Sequence, residues 1–87
     1  MTPSELLAET GWIKARLALD KYGICVRPKS VDAVAFCLIG ACVRCDSDTT
    51  KLKAIIKARG FYSISDFNDD LSTKYADVLS VLKEAGL

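Results

Sequence analysis

Between Val31 and Val43 the chain has a single charged residue, Asp32, set among Val, Ala, Phe, Cys, Leu, Ile and Gly. A stretch that is apolar on nearly every side has to be surrounded by protein or by lipid, because no rotation about its axis gives it a wet face. As a helix rising ~1.5 Å per residue it reaches only about 20 Å, short of the ~30 Å hydrocarbon layer, so a membrane span is disfavoured. The stretch is therefore expected as one buried helix over about residues 31–45. Ser30 is its N-cap, and Asp32 sits against the positive end of the dipole. Ala33, Cys37, Gly40 and Ala41 make a stripe of small side chains along it, which predicts the close approach of another helix backbone. Enlarging Gly40 or Cys37 is expected to lower stability.

The rest of the chain reads as shorter elements around that rod. Its 87 residues suit one core, and a composition 51% hydrophobic and 26% charged is that of a folding chain. Thr2, Pro3 and Glu5 spell a capping box with proline in the first turn, and Gly11 is expected to close that helix. Trp12, Ala15, Leu19 and Tyr22 recur at helical spacing, which predicts a second helix over 12–22 closed by Gly23. Cys25 to Pro28 is expected to be extended, without an evident partner strand. A helix from Thr49 to Arg59 points Leu52, Ile55 and Ile56 inward, and Gly60 ends it. A last helix capped by Ser72 gathers Tyr75, Val78, Leu79, Leu82 and Ala85 on one face. The expected fold is all-α: one helical domain over 1–87, a compact bundle of four to five short helices around the central one.

Charge and cysteine usage narrow the function classes. The formal net charge is +1, so no overall field draws the chain to nucleic acid or an anionic surface. Locally, residues 12–29 sum to +4, Lys51, Lys53, Lys57 and Arg59 form a basic patch, and the tail from Phe61 sums to −3. Solvated faces and internal pairing account for these blocks better than a nucleic-acid site, since no aromatic or glycine-rich motif accompanies them. The opening Met-Thr-Pro-Ser-Glu lacks the basic end and long apolar run of an export signal. Three of the four cysteines, Cys37, Cys42 and Cys45, fall within the expected central helix, where geometry opposes pairing. With Cys25 they read as free thiols of a protein of the reducing cytoplasm.

The chain has no histidine, which removes the commonest general base and the usual partner of a serine or cysteine nucleophile. No catalytic residue and no cofactor are expected. Cys37, among apolar neighbours, is better placed to pack than to react. A zinc site is disfavoured because Cys37 and Cys42 on one helix point about 140° apart. Asp66 to Asp70 has the spacing of a calcium loop, with Asp77 in the twelfth position. Leu71 stands where the turn needs glycine, however, so an Asx turn ahead of the last helix is the expectation.

Gly11-Trp12, Phe36-Cys37-Leu38-x-Gly40-Ala41, Phe67-Asn68-Asp69 and Val78-Leu79-x-x-Leu82-x-x-Ala85, in that order, resemble a family of short bacterial and bacteriophage proteins of unknown function. Members often carry tryptophan where Phe67 stands, and small residues at the positions of Lys14 and Ala15. The resemblance implies a helical fold and links Trp12, Cys37, Asn68 and Asp69 as a candidate pocket or structural set. It implies no activity.

The leading expectation is a small non-enzymatic module that binds another protein, in the phage setting an inhibitor or adaptor of a host protein. Two other classes stay open. One is a small enzyme or ligand-binding protein using Cys37 with Asn68 and Asp69, and the other is nucleic-acid binding through the basic helix 49–59.

Overall fold

The computed structural model describes residues 1–87. In chain order it has α1 (Pro3–Glu9), β1 (Ala18–Leu19), β2 (Ala35–Phe36), α2 (Leu38–Arg44), α3 (Thr50–Ala58), α4 (Ile64–Asp69) and α5 (Tyr75–Ala85). The fold is mostly helical but not purely α, because β1 and β2 pair antiparallel, Ala18 opposite Phe36 and Leu19 opposite Ala35. No helix is long and apolar enough to cross a membrane.

Three helices form where their apolar faces predict, although α1 ends at Thr10 and not through a left-handed Gly11. Thr2 and Glu5 close the capping box on α1, which buries Pro3, Leu6 and Leu7. In α3, Leu52 and Ile56 are buried and Gly60 follows at φ 93°. In α5, Val78, Val81 and Leu82 are buried, and Gly86 ends the helix in the left-handed region. Ser72 is not the cap of α5, because its hydroxyl donates to Asp70. The Lys74 N–H at the helix start is satisfied by the Asp77 carboxylate at 2.8 Å.

The expected central helix over 31–45 is corrected. Only Leu38–Arg44 is helical, Val31 is 92% exposed, and Ser30 holds a single turn by accepting from the Asp32 N–H. The N-cap is Cys37, whose Sγ accepts from the Gly40 N–H at 3.2 Å. Ahead of it the backbone is spent on strand pairing: Val34 N–H donates to Leu19 O, and Cys37 N–H donates to Leu17 O. The burial expectation survives for Phe36, Leu38, Ala41 and Cys42, each at most 2% exposed, but not for Val43, which is 43% exposed.

The helix expected over 12–22 is absent as well. Gly11 O accepts from Phe36 N–H and Phe36 O accepts from Ile13 N–H, so this segment runs beside β2. Ala15 adopts φ 67°, which a helix does not allow. Asp20 then turns the chain, its carboxylate accepting from the N–H groups of Tyr22 and Ile24, with Gly23 at φ 78°. Cys25 does find a partner, a bridge to Leu19. The small-residue stripe faces extended chain rather than a helix, since the backbone of Leu17 lies directly against Gly40. Arg44 binds this irregular half to α2 by donating to the carbonyls of Pro28 and Ser30.

The third correction concerns Asp66 to Asp70. Residues 64–69 are α4, capped by Ser63 accepting from the Asp66 N–H, with Ile64, Phe67 and Asn68 pointing inward. The expected Asx turn is confined to Asp70, whose carboxylate accepts from the Ser72 N–H at 2.9 Å ahead of α5.

Candidate functional site

Two features compete for the functional role: a buried polar cluster and an open groove. The cluster unites residues far apart in sequence. Asn68, 1% exposed, sits on the inner face of α4 between the 11–17 segment and the start of α2. Its Oδ1 accepts from Trp12 Nε1 at 2.6 Å and from the Leu38 N–H at 3.0 Å. Its Nδ2 donates to Ile13 O at 3.1 Å and to Asp69 Oδ1 at 2.9 Å. Every lone pair and proton the amide can offer is used. Asp69 Oδ1 also accepts from the Ala15 N–H at 2.9 Å, and these two hydrogen bonds hold its carboxyl below the usual range. Lys14 lies over the Trp12 ring and donates to Asp70 O, and Tyr75 stacks on Trp12 with ring centroids 6.3 Å apart.

Cys37 borders the same region, lining with Arg16, Leu17, Ser65, Asn68 and Asp69 a pocket of about 110 Å³. At roughly 30 Å³ per molecule, that is room for a few waters. Burial pushes the Cys37 thiol up and the Asp69 carboxylate adds to this, against backbone N–H groups of Gly40 and Ile39 that pull it down. The net shift is away from a neutral-pH thiolate, and Cys42 is pushed up to about 11 by burial. All four cysteines are free, and no group of three or more Cys, Asp or Glu side chains gathers as a metal site.

A labelling experiment checks the thiols. Iodoacetamide at pH 7 is expected to modify exposed Cys25 first and half-buried Cys45 more slowly, with Cys37 and Cys42 reached only on unfolding. The raised values also fix a sign. A thiol held neutral by the fold lends stability that is whole below about pH 8.5 and is lost as pH rises through the folded value. The urea midpoint should therefore drop between pH 8.5 and about 11, the figure for Cys42. Rapid modification of Cys37 at or below pH 7 would reinstate a nucleophile there.

The groove lies between α2, α3 and the start of α4. Ile39, Val43 and Ile64 floor it, and Lys29, Lys53 and Asp46 stand at its edge around a volume of about 580 Å³. It continues past Lys53 into a lobe of about 340 Å³ bordered by Lys57, Tyr62 and Ser63. Lys29 pairs with Asp46, whereas Lys53 and Lys57 have no ion-pair partner. Asp48, the carboxylate that feels Lys53 through space, is committed to the N–H and hydroxyl of Thr50.

The basic patch is thus divided. Lys51, Lys53 and Lys57 are exposed, but Arg59 turns away to Glu84 at 2.8 Å and Ser80 at 3.2 Å. Of the groove, sequence reading found only the lysines. Ile39 and Val43 look like core in an unbroken apolar run, and Tyr62, 88% exposed, carries no pattern that would flag it.

No protein-family model, no curated protein and no solved structure matches the chain.

Proposed function

We propose that the chain is a non-catalytic protein-binding module and that the groove between α2, α3 and α4 is its binding surface. One observation carries the reading. The Asn68 amide and the Asp69 carboxylate are consumed in holding the backbone together, while the groove of about 580 Å³ keeps apolar side chains in reach of solvent beside two unpaired lysines. Such a surface has affinity to offer and no groups placed to make or break bonds. The resemblance to short bacterial and bacteriophage proteins suggests the setting, an adaptor or inhibitor acting on a host protein.

Affinity capture tests this if the groove is the variable. The wild-type chain and Lys51→Glu, immobilised and exposed to extract of the cells that express the protein, are expected to retain the same partner. The double variant Val43→Asp with Lys57→Glu is expected to lose it at an unchanged melting temperature. Both altered positions are exposed, so folding should tolerate them. Identical capture by all three proteins would remove the groove from the function.

A further inference from the structure

We infer that the groove takes an acidic peptide segment bearing aliphatic or aromatic anchors, its apolar residues over Ile39 and Val43 and its carboxylates at the Lys53–Lys57 end. The inference rests on the binding-module reading and adds the chemistry and polarity of the occupant.

The polarity follows from how charge is distributed along the rim. At one end the Lys29–Asp46 pair leaves no net charge to satisfy. In the middle and at the far end Lys53 and Lys57, four residues apart on α3 and so on one face, stand without carboxylate partners. Ser63 and Tyr62 add hydroxyls at that end. An occupant with carboxylates there completes the charge, and one with lysine or arginine there is repelled.

The floor decides between a peptide and a nucleic acid. Single-stranded nucleic acid is held by aromatic platforms on which bases stack, along a continuous cationic track. Here the floor is aliphatic, Tyr62 is the one aromatic side chain on the groove, and Asp46 places a carboxylate in the path of a phosphate chain. Aliphatic floors with a charged rim are the habit of grooves that receive amphipathic peptide segments.

A displayed library of random dodecapeptides, selected on the intact chain, supplies the test. Selected peptides are expected to carry at least two Asp or Glu beside a Leu, Ile, Phe or Trp. As synthetic peptides they should bind Lys53→Glu with Lys57→Glu at least tenfold more weakly than wild type, and Lys51→Glu as well as wild type. Raising salt should weaken them. Peptides without acids that still lose binding to Val43→Asp would overturn the inference and leave the binding module standing. No selection, or binding indifferent to every groove variant, would overturn both. Tighter binding of a dodecameric oligothymidine than of any selected peptide, lost in the lysine double variant, would replace the peptide with nucleic acid.

Discussion

Gly40→Ala is expected to destabilise the chain by about 3 kcal/mol or more, enough to move a marginal domain toward the unfolded state at room temperature. Helix propensity alone gives the opposite sign, since alanine in place of a helical glycine gains roughly 1 kcal/mol. Space decides the outcome. A Cβ on Gly40 would penetrate the carbonyl oxygen of Leu17 and stand 2.9 Å from its carbonyl carbon and 3.4 Å from its Cα. These are backbone atoms and cannot rotate aside. Leu17 is pinned by accepting from the Cys37 N–H at 3.2 Å, and the chain enters β1 one residue later. Either α2 shifts or the strand pair opens, and both bury Phe36 and Leu38 less well. Gly23→Ala is the control. Gly23 has a left-handed φ but nothing within 4 Å of a new Cβ, so only the conformational cost of ~1–2 kcal/mol applies. Urea unfolding followed by circular dichroism compares the three proteins, and a Gly40→Ala variant as stable as wild type would show that extended chain does not lie against α2.

The pattern of correct and mistaken expectations has a physical cause. α1, α3 and α5 each have one wet face, so their caps and their 3.6-residue period are visible in sequence. The Val31–Val43 run lacks that contrast. Its exposed positions Val31, Val34 and Val43 are as apolar as the buried Phe36 and Leu38, so no period shows, and part of it can be strand and turn and part helix with the same residue types. Trp12, Ala15, Leu19 and Tyr22 illustrate the converse error, helical spacing without a helix. The Asp20 carboxylate, Gly23 and pairing to β2 outweigh a weak propensity there, and Tyr22 ends 75% exposed. α4 is only six residues long, but Ser63 followed three residues later by Asp66, with Ile64 and Phe67 on one face, was the available cue. As for the cluster, nothing in periodicity or charge joins Trp12 to Asn68 across more than fifty positions. That the amide of Asn68 is fully occupied is a fact of three dimensions.

Replacing Asn68 is the other change expected to have a large effect. Asn68→Ala removes four hydrogen bonds at once and leaves Trp12 Nε1, the Leu38 N–H and Ile13 O without their partner in a region where Asn68 itself is 1% exposed. A buried group left unsatisfied costs about 1–3 kcal/mol, and partial hydration through the half-buried Trp12 offsets some of that, so a net loss of about 3–4 kcal/mol is expected. Asn68→Asp separates hydrogen bonding from shape. Its oxygens can still accept from Trp12 and Leu38, but a second carboxylate then faces Asp69 and the Ile13 carbonyl. Burial and like charge raise its folded-state value, so the contribution of this carboxyl to stability is whole below the ordinary carboxylate range near pH 4 and is lost as pH rises through that folded value. Wild type runs the other way. Glu5, Asp48, Asp69 and Asp70 are all held low by hydrogen bonds, so the stability they lend is present above about pH 4 and lost as pH falls through their folded values. Between pH 7 and pH 5 the variant should gain while wild type stays level, and the fluorescence of the single tryptophan, Trp12, reports both from beside the substituted amide. If Asn68→Ala unfolds at the wild-type urea concentration, the amide is not holding these three segments together and becomes available to a ligand, which would return the small-pocket reading of Cys37, Asn68 and Asp69 to first place.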